Sequence, residues 1–397
     1  MPRKAVGAAV CALVAAFSAA PAGALTLVQL RSKLATESHR LGAASGVYVR
    51  DLGTGRTLFS RNGDRARAPA SNEKLLTTST ALLRFGPDAT LRTRVVAAAE
   101  PVDGVVHGDL ALVGAGDPYL SRTDIRSLVG QLADAGIEKI SGRILGDGTL
   151  LDSHVGSYDS DYAYDSDLGG SLGGLVVDEG RGTPALHAAS VLRAELRAAD
   201  ITVVGPTHLG TLGPSAVELA NVLSLPLSKL ITRINVPSDN FAAEELLKDL
   251  GAQYGGAGST SAGAAVVRST LAHYGVRASV VVDGSGLSRI DHVSPHQVVN
   301  LLAKMAVEAD GVLRYSLPVA GETGTLADRM RHTKARDVCQ AKTGTLSDVS
   351  ALSGYCTVAG GDTVVFSMIE NRVCSGCGIK DVEDRIAADI ARYVPGT

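Results

Sequence analysis

The chain has no tryptophan and only 5 phenylalanines, and aromatic residues make up 4% of its 397 positions. Stacking platforms for single-stranded nucleic acid are built from such rings, and a net charge of −3 supplies no basic stripe for a phosphate backbone. Nucleic acid is therefore excluded as a partner. Past the N-terminus no apolar run approaches the roughly 20 residues of a membrane-spanning helix. Although there are 45 glycines, none forms a Walker-type or dinucleotide-type pattern after a strand, so no cofactor is expected. Cysteine is scarce as well, 5 in all, and Cys374-Ser-Gly-Cys377 has no second ligand pair that would make it half of a zinc site.

What is present starts with Met1-Pro2-Arg3-Lys4, an alanine-rich apolar run to about Ala20, and Pro21 followed by Ala22-Gly23-Ala24. These are the three parts of a secretory signal peptide, expected over residues 1–24. The apolar run is short and alanine-rich, which counts against an uncleaved anchor. The mature protein is expected outside the cytoplasm, in the cell envelope, periplasmic or extracellular. Cys11 would leave with the signal, and the four remaining cysteines would sit in an oxidising compartment where disulfides are the default.

Apolar spacing predicts a helix over 25–34, then a hairpin from 45–51 and 56–60. The next helix starts near Ser71, buries Leu75, Leu76, Leu82 and Leu83, and stops near Gly86-Pro87. From 91 to 212 the texture changes to short strands (94–99, 109–113, 139–145) around a helix over 124–135. An acidic, tyrosine-bearing loop (147–167), a glycine cluster (169–174) and a helix (184–199) follow. This segment reads as an inserted module within a main domain made of 25–90 and 213–397. Asp159, Asp161 and Asp165 invite a calcium reading, but an EF-hand loop needs an oxygen ligand where Ala163 stands and glycine where Tyr164 stands. The loop is taken as solvated or as a substrate wall, and no metal is expected. Further on, helices over 225–236, 238–250 and 264–274 precede strands at 279–282, 338–343, 351–358 and 363–369 and a helix over 381–393.

The chemistry is carried by short motifs. In Ser71-Asn-Glu-Lys74 the two outer residues share one face of a helix, so the amine comes within reach of the hydroxyl. A lysine kept neutral by burial or by a second cation can take the serine proton and make a nucleophile. On its own the pattern equally describes an N-cap serine followed by a solvated lysine. Two more motifs follow in order, Ser238-Asp239-Asn240 at a helix start and Lys342-Thr343-Gly344 in a strand. Singly they are an N-cap and a strand lysine; jointly they match the signature of penicillin-binding proteins and class A β-lactamases.

Longer stretches narrow the match: Asp109-Leu-Ala-Leu-Val-Gly-Ala-Gly-Asp117-Pro118, Ser238-Asp-Asn-Phe-Ala-Ala-Glu-Glu, Asp283-Gly-Ser-Gly-Leu-Ser-Arg289, Pro318-Val-Ala-Gly-Glu-Thr-Gly-Thr325 and Ala341-Lys-Thr-Gly-Thr-Leu346. Together they resemble the D-alanyl-D-alanine carboxypeptidase/endopeptidase family of class C low-molecular-mass penicillin-binding proteins, peptidase family S13. The resemblance implies an α/β (α+β) transpeptidase-like domain, an antiparallel sheet between helices, plus the inserted module. It implies peptidoglycan stem peptides and β-lactams as partners.

Under that resemblance Ser71 attacks the carbonyl between two D-alanines, Lys74 is general base, and Ser238 relays a proton to the leaving amine. Lys342 is expected to lower the Lys74 pKa by its charge and to attract the substrate carboxylate. Asn240 would hold the peptide amide and Lys74, Thr343 would bond the carboxylate, and Gly344 would leave room for the strand to approach it. The N–H groups of Ser71 and Thr345 are the oxyanion-hole candidates. Asp283 and Ser285 are expected to brace the site rather than react. A β-lactamase or esterase on the same fold would need a deacylating base, for which Glu244 and Glu322 are the candidates; a wall-binding scaffold would have no use for both lysines. Cys339 and Cys356 are expected to pair across the Lys342 hairpin, and Cys374 with Cys377.

Overall fold

The computed structural model describes residues 23–277, 280–374 and 376–396, so all but the last two residues of the expected signal segment lie outside it. Five antiparallel strands form the main sheet in the order Cys339–Leu346, Val349–Thr357, Thr363–Asn371, Ser45–Asp51, Thr57–Arg61. Side chains alternate across a strand, and here both sets are apolar. Val47, Val49, Leu352, Phe366 and Met368 face the terminal helices Leu27–Arg40 and Ile379–Ala391. Tyr48, Ala351, Tyr355, Val365 and Ile369 face a second, larger layer of helices. The sheet is therefore sandwiched, as expected for this α/β architecture.

In the larger layer, helix Glu73–Phe85 is buried on every side from Glu73 to Leu82, while Leu83 stays half-buried. Its polar residues are accommodated by bonding inward: Thr78 and Thr80 donate to the carbonyls of Lys74 and Leu76, and Thr77 donates to the carbonyl of Gly284. Around it pack Leu227–Asn235, Asn240–Tyr254, Thr260–His273 and Pro295–Met305. Residues 278–279 lie outside the description, and of the strand expected there Val280 forms a single bridge with His292.

The second sheet runs Val217–Leu223, Arg92–Ala97, Leu110–Val113, Ile144–Asp147, Thr207–Leu209. Strand Val217–Leu223 pairs with Arg92–Ala97, so this sheet extends past residue 212, where the sequence placed the end of the module. Helices Arg122–Asp134 and Pro184–Ala198 pack on it. The first is opened by a reciprocal cap between Ser121 and Asp124. The segment expected as one strand over 139–145 is broken at Ser141-Gly142-Arg143. Lys139–Ile140 joins a small parallel sheet with Val105–Val106 and Thr202–Val203 instead. Among the described residues no helix is long and apolar enough to cross a membrane.

Cys339 and Cys356 are register partners on neighbouring strands and are joined by a disulfide, as are Cys374 and Cys377. The first bond staples the strand that carries Lys342. Replacing Cys339 and Cys356 by alanine is expected to cost less than the ~2–5 kcal/mol typical of small disulfide-dependent domains, because the core here is large. The covalent labelling by a penicillin that the resemblance implies should slow while the circular dichroism spectrum stays native; an unchanged labelling rate would contradict the stapling role.

Candidate active site

Ser71 sits on a single 3₁₀ turn, Ala70–Asn72, that leads into helix Glu73–Phe85 rather than on the α-helix itself. The residue before it, Ala70, has φ +48°, a conformation L-residues avoid unless their surroundings impose it. Two close approaches impose it. A Cβ on Gly344 would stand 2.8 Å from the Pro69 carbonyl and 3.0 Å from the Asn72 amide nitrogen. At Gly286, φ +80°, a Cβ would come 1.9 Å from the Ala70 carbonyl. The side on which a Gly344 Cβ would stand is thus taken by the turn that carries Ser71.

The Lys74 amine is fully buried and makes three hydrogen bonds, to Ser71 Oγ at 3.2 Å, Asn240 Oδ1 at 2.7 Å and the Ser285 carbonyl at 2.7 Å. None of these acceptors is charged. Burial pushes its pKa down to about 8, against the opposing pull of Asp283, Glu244, Asp239 and Glu73. Two of those carboxylates are held by backbone N–H groups. Glu244 accepts from the Gly284 and Ser285 N–H groups, at 2.9 and 2.8 Å, and Asp283 accepts from Gly286 N and Ser288 N. Glu73 is buried, and burial followed by the charges of Asp283 and Glu244 raises its pKa far above the carboxylate range. Asp283 and Ser285 therefore brace the site, the latter through its carbonyl.

Ser238 has φ +66°, and helix Asn240–Tyr254 is capped by Asp239, whose Oδ1 accepts from Ala242 N at 3.0 Å. With the cap supplied next door, the Ser238 hydroxyl is left to face the strand, where it accepts from Lys342 Nζ at 2.8 Å. Lys342 also donates to its neighbour's carbonyl, Thr343 O, at 3.0 Å. Burial, and then the Lys74 amine, push Lys342 well below the usual lysine range. For Lys74 too the largest cause is burial, so both amines are held below the ordinary lysine range chiefly by loss of solvation.

Strand Cys339–Leu346 is the edge of its sheet. Its outer side is covered at first, by Ala320 N bonding to Cys339 O and Ala341 N to Pro318 O. Antiparallel strands alternate the direction of their backbone groups, so Thr343 and Thr345 point theirs outward on the same side. The Thr343 hydroxyl donates to Thr325 Oγ1 at 2.8 Å. On the opposite wall the acidic loop joins the site: the Asp167 carbonyl accepts from Asn240 Nδ2 at 2.9 Å, and Asp159 accepts from the Ser288 hydroxyl at 2.7 Å. The loop is thus a wall of the site. Glu322 is exposed and paired with Arg336, and neither it nor Glu244 bonds Ser71 or Lys74.

A serine and a buried lysine on one turn, a second lysine on an edge strand and a helix-starting asparagine between them define a serine hydrolase of the penicillin-recognising class. The profile of the D-Ala-D-Ala carboxypeptidase 3 (S13) family matches residues 28–181 and 176–393. The chain belongs to this family and is a serine-type D-Ala-D-Ala peptidase of peptidoglycan. It is 34% identical to a D-alanyl-D-alanine carboxypeptidase of Actinomadura sp. (strain R39), over 89% of this chain and 82% of that one. Identity to the D-alanyl-D-alanine carboxypeptidase DacB of Haemophilus influenzae is 24%, over 84% and 87%. Among solved structures, penicillin binding protein 4 from Haemophilus influenzae has TM-score 0.81 at 22% identity, covering 91% of this chain and 99% of its own. The endopeptidase Bd3459 of Bdellovibrio bacteriovorus has TM-score 0.56 at 16% identity, covering 87% and 92%. At those identities the two structures speak to the fold alone.

Three participants escaped the sequence reading. The Ser285 carbonyl and the Asp167 carbonyl are backbone atoms with no residue-type signature, and Thr325 lies in a stretch that resembled the family without suggesting a role. A general base must be neutral, so with Lys74 in the role that the resemblance implies, acylation by a penicillin should rise about tenfold per pH unit below about pH 8 and level off above it. A rate constant that is flat between about pH 6 and pH 9 would contradict this.

Proposed function

We propose that Ser71 is the nucleophile and Lys74 its general base in cleaving D-alanyl-D-alanine, with cross-linked peptides as a second substrate. The observation that carries this is the bond from a fully buried Lys74 amine to Ser71 Oγ, made among uncharged acceptors only. An amine so placed is poised to accept the serine proton near neutral pH.

In this scheme Ser71 Oγ bonds to the carbonyl carbon of the penultimate D-alanine and its proton passes to Lys74. The resulting oxyanion lies between the N–H groups of Ser71 and Thr345, where losing one donor typically costs ~10²–10³ in rate. As the C–N bond breaks, the proton reaches the leaving amine by way of the Ser238 hydroxyl. Water then adds to the ester carbonyl, the bond to Ser71 Oγ breaks, and the shortened peptide leaves as a carboxylate. Arrival of the substrate carboxylate favours the charged form of Lys342, and Thr343 bonds that carboxylate. Asn240 holds the substrate amide. Because Glu244 bonds the Gly284 and Ser285 N–H groups and Glu322 pairs with Arg336, neither carboxylate meets Ser71 or Lys74, and a penicilloyl-enzyme should persist. Export by way of residues 1–24 places the reaction at the peptidoglycan.

Ser71→Ala should abolish the mass adduct left by a penicillin, and Lys74→Ala should slow its formation ~10²–10⁴-fold, the usual range for a general base. Lys342→Arg should keep part of the activity that Lys342→Ala loses, because the carboxylate still meets a cation. An adduct surviving on Ser71→Ala would sink the nucleophile assignment; a Lys342→Arg variant as inactive as Lys74→Ala would sink the electrostatic role of Lys342.

A further inference from the structure

The Ser238-Asp239-Asn240 turn has to hold two side chains toward two different lysines while its first residue sits at φ +66°. Ser238 meets Lys342, and Asn240 meets Lys74. Between them, Asp239 is the residue whose fixation sets both. One of its carboxylate oxygens caps the following helix through Ala242 N. The other accepts, at 2.9 Å, from the hydroxyl of Tyr119. Tyr119 belongs to the inserted module, 120 positions away in sequence.

We infer that Tyr119 is a positioning residue for acylation: by bonding Asp239 from the inserted module it holds the Ser238 hydroxyl and the Asn240 amide in register with the two lysines. Several features fix the phenol for that task. It follows directly on strand Leu110–Val113 through the turn Gly114-Ala-Gly-Asp-Pro118, and Asp117 Oδ1 accepts from Tyr119 N at 2.9 Å, locking the turn. Gly116 N bonds to the Gly174 carbonyl, tying the turn to the module. The Arg233 guanidinium, from helix Leu227–Asn235, lies over the ring at 4.1 Å from its centroid. The ring is thus gripped from both parts of the molecule. Burial first, and then the Asp239 charge, push the Tyr119 hydroxyl upward, so it remains a donor throughout any working pH.

The module reaches the same turn once more, through the Asp167 carbonyl that accepts from Asn240 Nδ2. That contact orients the amide so that its oxygen faces Lys74. The inserted module thereby acts on the chemistry as well as on substrate access. Its effect passes through Asp239 and Asn240.

The inference rests on Ser71 being the acylated residue, and the test separates the two. Tyr119→Phe removes one oxygen and leaves the ring under Arg233. Acylation rate constants for a penicillin, and kcat and KM for a D-Ala-D-Ala peptide, are measured per active site titrated by stoichiometric penicillin, so a loss of folded protein does not register. Acylation and kcat should fall about tenfold to a hundredfold, the scale of a misplaced reacting group, with KM changed less than about twofold. In an Asp239→Ser background, which keeps a helix cap but cannot reach the phenol, Tyr119→Phe should have no further effect. Wild-type rates in Tyr119→Phe, or an equal fall in the Asp239→Ser background, would overturn the inference and leave Ser71 untouched. Wild-type protein with its penicillin on a residue other than Ser71 would overturn both.

Discussion

An amine with no charged hydrogen-bond partner, buried among a hydroxyl, an amide oxygen and a backbone carbonyl, is the constraint on which this structure turns. Burial disfavours the ammonium form of Lys74, and the surrounding carboxylates keep the shift from going too far. The balance depends on those carboxylates being near without touching. Glu244 and Asp283 are held off by backbone N–H groups of the 284–288 loop, and the same loop offers the Ser285 carbonyl to Lys74. One loop therefore both satisfies the amine and restrains the acids that would over-stabilise its charge.

The fold supplies the rigidity that this balance needs. Helix Glu73–Phe85 is buried on all sides from Glu73 to Leu82, so Lys74 cannot swing into water, and the turn before it is pressed between the strand at Gly344 and the loop at Gly286. Strain at Ala70 and Ser238 falls on the residues flanking or forming the two hydroxyl sites. The disulfide between Cys339 and Cys356 lies on the same strand as Lys342, one more restraint on the second lysine.

Much of this was legible in residue types. Ser71, Lys74, Ser238, Asn240 and Lys342 could be found because their chemistry is written in side chains, and the structure brings all five together. The Cys339–Cys356 pairing followed from hairpin register, and the helices from apolar spacing. The misses have physical causes. The Ser285 and Asp167 carbonyls belong to the backbone, which every residue has. Strand Val217–Leu223 is mostly half-buried, so its apolar pattern is weak, and only its pairing with Arg92–Ala97 reveals it. How far burial depresses the two lysines depends on the packing and carboxylates around them, which spacing in a sequence does not encode. Tyr119 was passed over because its partner lies in another part of the molecule.

The central claim is that Lys74 is uncharged in a substantial share of molecules near neutral pH because it is buried. Direct titration of the ε-amine by NMR, with lysine labelled at the ε position and Lys74→Arg used to assign its signal, tests this without any substrate. The account predicts a midpoint near pH 8 for Lys74, with Lys342 also titrating below the ordinary lysine range. A Lys74 signal that titrates near the ordinary lysine value of about 10.4 would contradict it.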